Sequence, residues 1–202
     1  MTAAGAPSFT MPSSKWLRDN QLQGEATIRL AADGLEISGA SGGFRRVSTT
    51  EIRLVQTGWQ SDKHGPWFLT RIWLHGREAP WKLVARGPGF APYAAVVRGL
   101  AAQLARIDGV SRLHRGSSIA AAVALLVPMT LLFLAALAIS IFALEHEPWW
   151  GRPVPALVAF AFFIMGALTA YHRWPRPVRD LDEFNRRVAP SLQRRRPWSR
   201  KR

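Results

Sequence analysis

The stretch "LEHEPWWGRPV", residues 144–154, contains the densest group of side chains in this sequence that could do chemistry. Residues 145–147 place a histidine between two carboxylates, and Trp149 and Trp150 follow. Imidazole and carboxylate groups can bind a metal ion or transfer protons. Adjacent residues on a short loop do not converge easily on one ion without further ligands. We therefore interpret this stretch as the bend between two apolar segments.

A second motif, "GASGG" at residues 39–43, fits the G-x-S-x-G pattern of hydrolases. That chemistry needs a strand before Ser41 and a helix directly after it, whereas the sequence continues as the strand-like "FRRVS". The motif therefore predicts a hairpin turn. The five histidines show no ligand spacing, and the absence of cysteine excludes disulfides, thiolate metal sites and cysteine nucleophiles. We expect no enzyme activity, no metal ion and no cofactor.

The net charge of +14 is distributed unevenly. Residues 1–116 contain 15 Lys and Arg against 8 Asp and Glu, and residues 173–202 contain 11 against 3. The segment between them contains a single basic residue, Arg152. This balance favours either nucleic acid or an anionic membrane surface as a partner. Because no nucleic-acid recognition fold accompanies the basic residues, we expect anionic phospholipids and no nucleic acid.

Two uncharged runs, residues 117–144 and 153–171, are each long enough to cross a bilayer of ~30 Å as a helix. The first run has no polar face and would need a far larger protein to bury it, so the sequence predicts a transmembrane hairpin over residues 117–172. Gly166 and Ala170, four residues apart, would let the two helices approach closely. Aromatic residues that favour the headgroup level mark both ends of the second run: Trp149, Trp150, Tyr171 and Trp174.

The basic residues beside the two runs predict the orientation of the hairpin. Arg112 and Arg115 precede the first run, and Arg173 and Arg176 follow the second. Because Lys and Arg accumulate on the cytoplasmic side, we expect both termini in the cytoplasm and the loop 145–152 outside it. The first thirty residues have no apolar core of a signal peptide, which agrees with this orientation. The predicted location is the inner membrane of a bacterium.

The amino-terminal part predicts a loose arm over residues 1–23 and a β domain over residues 24–110. Trp16 and Leu17 are the side chains of the arm that could dock on the domain. The short strand-like runs are 26–30, 35–38, 43–48, 51–60, 66–76 and 79–87. Strands of this number and spacing indicate a small antiparallel barrel or sandwich.

A helix follows the strands. The apolar residues at its start and middle repeat with steps of four and three, which is typical of one helix face. This helix would plug the open end of the sheet. The residues of the stripe are Tyr93, Val97, Leu100, Leu104 and Ile107.

The order of these elements resembles a bacterial pleckstrin-homology-like domain. The resemblance covers residues 24–110 and is carried by the "STTEIRLVQTGWQ" segment before a central hairpin, by "WKLVARG" as the last strand and by the closing helix. It implies binding of a lipid, a peptide or a protein rather than catalysis. Phosphoinositide-binding members carry a basic pair in the loop of the first strands, whereas Arg45 and Arg46 of this sequence follow the second turn. The whole chain is thus expected to be an α+β membrane protein.

The segment 173–202 predicts a basic cytoplasmic tail with a short amphipathic helix. Acidic residues open the helix and basic residues close it, as the helix dipole favours. Its apolar side, Leu181, Phe184 and Val188, would lie in the cytoplasmic leaflet. The alternative is a solvated tail that only enforces the topology. Four further residues that we expect to contact lipid lie near the end of the tail: Arg194, Arg195, Arg196 and Trp198.

Three functions remain open at this point. The first is a non-catalytic, membrane-anchored binding or assembly module, such as an accessory or scaffold subunit of a respiratory or photosynthetic type of inner-membrane complex, in a homo- or hetero-oligomer. The second is a sensor of lipid headgroups that uses the β domain and the basic tail. The third is a membrane enzyme with Glu145 and His146 at the far face, which the absence of a credible catalytic set disfavours. The first function is our leading prediction.

Overall fold

The computed structural model describes residues 5–12, 17–18, 22, 24–62, 65–86, 89–116, 119–143 and 153–188. The chain forms two units. Unit 1 is a β domain made of the chain up to Arg115 together with the chain after Arg176, and unit 2 is the apolar segment Gly116–Pro175 between them. Unit 1 is therefore assembled from segments on both sides of unit 2.

The first sheet of unit 1 has four antiparallel strands in the order of the chain. Phe9 and Met11 of its first strand point into the core. The expectation of a loose arm over residues 1–23 is wrong for this segment, because pairing and burial hold it in place. Leu17 is fully buried as well, whereas Trp16 lies outside the described residues. The strands are β1 (Ser8–Met11), β2 (Ala26–Ala31), β3 (Gly34–Gly39) and β4 (Phe44–Ser48).

The second sheet has five strands in the order β7-β6-β5-β8-β9. A long central hairpin forms its middle, and its pairs are antiparallel except for β5 and β8, which run parallel. The last two strands come from the chain just before and just after unit 2. The strands are β5 (Ile52–Asp62), β6 (Gly65–Leu74), β7 (Trp81–Arg86), β8 (Leu113–Arg115) and β9 (Arg176–Pro177).

Helix α1 (Phe90–Asp108) contacts strands of both sheets and closes the hydrophobic core of unit 1. Tyr93 and Leu100, two residues of the predicted apolar stripe, are fully buried. The prediction is wrong for Ile107, which is 56% exposed in the last turn. The Tyr93 hydroxyl lies 2.5 Å from Thr70 Oγ1, which satisfies the phenol inside the core. Burial raises the pKa of this phenol far above its ordinary value.

A short helix, α4 (Leu181–Val188), returns from unit 2 to the core of unit 1 and packs on α1 and β5. Its position agrees with the helix predicted in the tail. The expected placement of its apolar side in a lipid leaflet is wrong, because Phe184 and Val188 are fully buried among protein side chains. Arg98 of α1 donates hydrogen bonds to the carbonyl oxygen of Asn185 and ties the two helices together. The tail up to Val188 is therefore part of the β domain.

Unit 2 is a pair of packed apolar helices, α2 (Ile119–Ala138) and α3 (Val154–Arg173). The segment Ile139–Ala143 continues α2 as a π-helical turn. Among the described residues, two helical stretches are long and apolar enough to cross a membrane, Ala122–Ile141 and Val154–Arg173. Pro128 lies inside α2.

The two helices pack against each other through one side of each helix, and we call this interface the seam. Phe133 packs against Phe160 in a tilted arrangement and stacks on Phe163, with ring centroids 5.7 Å apart in both pairs. A Cβ atom at Gly166 would come within 2.8 Å of Met129 Cγ, so the helices approach closely there. Ala170 is fully buried, which confirms the close approach predicted for these small residues.

The coarse fold prediction is confirmed: the chain is α+β, with two sheets and four numbered helices in the described residues, two of them apolar enough to span a membrane. The predicted β strands lie within one or two residues of β2–β7 at most of their ends. The two sheets have separate hydrogen-bonded orders, and no closed barrel forms among the described strands. The pleckstrin-homology-like identity of the domain stays a prediction.

Candidate functional site

The chain leaves unit 1 and returns to it through two neighbouring strands. Arg115 at the end of β8 is the register partner of Arg176 at the start of β9, and His114 is the partner of Pro177. The amide of Val178 donates to the carbonyl oxygen of Leu113 at 3.0 Å. The two connections to unit 2 are thereby held side by side within the five-stranded sheet.

Arg112 and Arg115, predicted as lipid contacts, form ion pairs inside unit 1. Arg112 is paired with Asp108 and donates to the carbonyl oxygens of Thr49 and Ile52 at 3.2 and 2.9 Å. The side chain of Arg112 is 25% exposed. Its guanidinium therefore connects the end of α1 to the β4–β5 turn. The prediction from the sequence had placed this side chain at lipid headgroups and had not included these contacts within the protein.

Arg115 lies 3.0 Å from Glu183, in a pair whose side chains are 25% and 15% exposed. The second carboxylate oxygen of Glu183 accepts from the amide of Arg179 at 2.8 Å. Asp180 accepts from the amide of Glu183 at 2.6 Å and caps the amino terminus of α4. These contacts form one network that links β8, the strand before unit 2, to α4, the helix after unit 2.

Three residues that the sequence analysis predicts at the membrane–water interface lie at the end of α3 and directly after it. Tyr171 is 55% exposed and meets His172 edge-on, and Trp174 is 37% exposed. Arg173 is exposed at the end of α3. Gly116 has a φ of +106°, and a Cβ atom there would lie 2.5 Å from the Trp174 carbonyl oxygen. Only glycine fits this turn, because another residue would be strained and would clash with backbone.

Arg176 is half-buried at the start of β9. The remaining predicted interface residues lie outside the described part of the chain: Trp149, Trp150, Arg194, Arg195, Arg196 and Trp198.

The motifs considered for chemistry have different outcomes. Residues 39–43 form the turn between β3 and β4, closed by a 2.8 Å bond from the Gly39 amide to the Gly43 carbonyl, so the predicted hairpin turn is confirmed. Phe44 begins a strand at the place where a nucleophile elbow needs a helix. The Glu145–His146–Glu147 cluster lies outside the described residues. Among the residues that were described, no three His, Asp or Glu side chains are grouped to hold a metal ion.

The five-stranded sheet has a second surface, turned away from the core, that sequence reasoning did not propose as a site. Inward residues such as Val55, Ile72 and Trp81 are register partners in one row and belong to the hydrophobic core. The residues that alternate with them on β5, β6 and β7 share the opposite surface, because neighbouring side chains of a strand point to opposite sides. We call this surface the basic–aromatic face. It comprises Leu54, Gln56, Gly58, Trp67, Leu69, Arg71, Trp73, Lys82, Val84 and Arg86.

The strand register brings cations and tryptophans together on the basic–aromatic face. Gln56, Arg71 and Lys82 are partners in one row, and β8 extends this row to His114. Arg86 is the register partner of Trp67 and stacks over its ring at 5.7 Å. None of the ten residues named above, whose side chains the structure describes, is Asp or Glu.

The aliphatic parts of the basic–aromatic face pack between the longer side chains. Leu69 is 6% exposed but is not part of the core cluster, and it lies between Gly58 and Val84 in the register. Trp67, Trp73 and Val84 are partly exposed, and Lys82 and Arg86 are exposed. Partial burial lowers the pKa of Arg71 and that of His114, because it disfavours the charged forms.

The alternation of β6 was visible in the sequence, with Leu69, Arg71 and Trp73 on one side and Phe68 and Ile72 on the other. The missing information was the pairing between strands. Lys82 follows its register partner Arg71 by 11 residues and Arg86 follows Trp67 by 19, and only the register places these partners side by side. No periodicity within one strand predicts such a cross-strand patch.

Comparison of the chain with models of protein families, with curated proteins and with solved structures finds no match.

Proposed function

We propose that this chain is a membrane-anchored, non-catalytic binding or assembly module, an accessory subunit of a larger complex in a bacterial inner membrane. In this proposal the hairpin of α2 and α3 spans the bilayer, and the β domain lies on the cytoplasmic side.

The observation that carries this proposal is the composition of the core of unit 1. Val178, Phe184 and Val188, which follow the hairpin, are buried with Leu100 and Leu104, which precede it. Both ends of the hairpin must therefore be on the same side of any membrane that the helices cross. This supports two crossings, and the basic flanks support the cytoplasm as the side of the β domain.

The surface of the hairpin supports an apolar environment. Leu131 and Leu157 are both 62% exposed, and Phe162 and Leu168 are both 56% exposed. A water-soluble protein rarely exposes a continuous apolar surface of this kind, so lipid tails or other membrane helices are its natural neighbours. The packed seam uses only part of each helix, which leaves apolar surface for a partner subunit.

The topology is tested by labelling single cysteines, since the chain has none of its own. Ser111→Cys and Gly151→Cys are reacted with a membrane-impermeant maleimide in intact spheroplasts and after lysis. We expect label on Gly151→Cys in intact cells and on Ser111→Cys only after lysis. Equal labelling of both positions in intact cells would contradict the proposed orientation.

The role in assembly is tested by isolating the full chain from native membranes in mild detergent. A photoreactive residue at Phe162, on the exposed side of α3, is expected to cross-link to one defined membrane protein in stoichiometric amounts. The matched control is a photoreactive residue at Phe163, whose ring packs against Phe133 within the hairpin. A bare monomer with no cross-linked partner at Phe162 would remove the basis for the accessory-subunit role.

A further inference from the structure

We propose that the basic–aromatic face of the five-stranded sheet docks on the anionic phospholipid headgroups of the membrane that holds the hairpin. The proposal rests on the membrane anchoring stated above and names a surface and a ligand for the β domain.

The apolar part of this face has the composition of a membrane-interface contact. Trp67 and Trp73 are partly exposed on β6, and Leu54 and Val84 are partly exposed on the neighbouring strands. Tryptophan favours the headgroup level because its ring is apolar while its N–H can still donate a hydrogen bond. Two such rings on one sheet face suit insertion among headgroups.

The charged part of the face has the sign that an anionic bilayer requires. Arg71, Lys82 and Arg86 lie on two adjacent strands, and none of the ten described residues that define the face carries a carboxylate. Each cation close to an anionic leaflet strengthens the contact about fivefold. Charge complementarity therefore favours phosphatidylglycerol-type lipids over neutral ones.

The chain connections between this sheet and the hairpin are short. Strands β8 and β9 belong to the same sheet, and only residues 116–118 separate β8 from α2. Trp174 and Pro175 are the only residues between α3 and β9. A bilayer that holds the hairpin is thus joined to this sheet by two short connections.

The four-stranded sheet provides a matched control surface. Its outward rows contain Thr10, Thr27, Ser38 and Phe44 in one row, and Arg29, Glu36 and Arg46 in the next. Among its described residues, this surface has one exposed aromatic residue, Phe44, but no tryptophan, and its charges are of both signs, with Arg46 paired to Asp33. We therefore expect this sheet to stay in water in the same membranes.

The experiment uses spin labels on the full chain in vesicles. Val84→Cys labels the basic–aromatic face, and Thr27→Cys labels the control sheet. Each protein is reconstituted in vesicles of phosphatidylcholine alone or mixed with phosphatidylglycerol, and the access of a water-soluble relaxation agent to the label is measured. We expect the label at Val84 to become severalfold less accessible in anionic vesicles, with reversal at high salt, and the label at Thr27 to stay unchanged.

Charge variants identify the groups responsible. Lys82→Gln is expected to lower the ratio of bilayer-contacting to free label at Val84 about fivefold, and Arg29→Gln on the control sheet is expected to leave the ratio unchanged. Equal accessibility of Val84 in both types of vesicle, or equal shielding of Thr27, would overturn the proposal. Shielding of Val84 in native membranes but not in phosphatidylglycerol vesicles would also overturn it, because the occupant would then be a protein or a nucleic acid.

Flotation of the protein with neutral vesicles reports insertion of the hairpin separately. Protein that floats but shows no shielding of Val84 overturns this proposal and leaves the membrane anchor in place. Protein that does not float overturns both.

Discussion

The two units of this chain differ in the solvent exposure of their large apolar side chains. In unit 1, Leu100 and Phe184 are fully buried, whereas in unit 2 Leu168 and Phe162 are both 56% exposed. The same residue types thus form a closed core in one unit and an outer surface in the other. The difference supports the proposal that water surrounds the β domain and apolar groups surround the hairpin.

The units also differ in how they treat polar groups. Unit 1 fastens its segments with Arg112, Arg98 and the Arg115–Glu183 pair. In unit 2, Thr130 and Thr169 donate to the carbonyl oxygens four residues earlier in their own helices. Local satisfaction of hydroxyl groups is what a helix in an apolar solvent requires. The following predictions test this contrast, from the largest expected effect to the smallest.

The largest effect is expected from truncating matched phenylalanines. Phe184→Ala should lower the free energy of unfolding of the β domain by about 3–5 kcal/mol, because it leaves a cavity in a packed core. Phe162→Ala, which removes the same atoms from an exposed site, should leave that free energy unchanged. Native-state hydrogen exchange of the amides of β2 and β5, with the full chain in lipid nanodiscs, measures both. Similar losses of protection in the two variants would contradict the contrast between the units.

A smaller effect is expected from two carboxylates of unit 1. Glu183→Gln weakens the part-buried pair with Arg115 and should cost about 1.5–3 kcal/mol in the same exchange measurement. Glu51→Gln removes an exposed partner 3.8 Å from Arg45 and should cost less than ~1 kcal/mol. Equal costs would mean that the network around α4 does not stabilise the domain.

The packing of the two helices of unit 2 should be disturbed by a larger side chain at the seam, because the helices approach closely there. Gly166→Val places side-chain atoms against Met129 and should destabilise the helix pair by about 1–3 kcal/mol. Ala161→Val on the exposed side of α3 is the control. Spin labels at Val127 and Leu168 report the separation of the helices by pulsed dipolar spectroscopy. The distance distribution should broaden only in the Gly166 variant, and an unchanged distribution would argue against close packing there.

The smallest effect is a pH dependence confined to unit 1. The pKa of His114 is lowered from its ordinary value of 6.5 by partial burial, so the unfolded chain binds a proton more readily than the folded chain. Stability of the β domain should therefore decline as the pH falls through 6.5 towards the folded-state pKa. His114→Gln should remove this part of the decline in a denaturant titration at several pH values. An identical decline in the variant would assign it to other groups.

Patterns within one segment predicted most of the elements. The alternation in the central hairpin indicated strands at 51–60 and 66–76, and the structure has them at Ile52–Asp62 and Gly65–Leu74. Periodicity also indicated α1 and the short helix α4. These predictions succeed because each depends on the spacing of side chains along one stretch of chain.

The errors concern what each segment packs against. The strand Ser8–Met11 was expected to be a loose arm, but Phe9 meets the Tyr93 ring edge-on at 5.3 Å. The apolar side of α4 was expected in lipid, but Phe184 and Val188 are buried among protein side chains. The predicted headgroup contact of Arg115 stays a prediction, although its guanidinium is also paired with Glu183. An apolar stripe or a cation indicates only that a partner is needed, and both lipid and protein satisfy that need.

By itself the sequence determined the uncharged runs of the hairpin, the strand positions from residue 26 to residue 86 and the excess of positive charge on both sides of the hairpin. Only the tertiary structure decided that the chain after the hairpin completes the β domain and that Trp67, Arg71 and Lys82 share one sheet surface. The reason is physical. Local periodicity follows from backbone geometry within a few residues, whereas strand register and core packing depend on contacts between segments far apart in the chain.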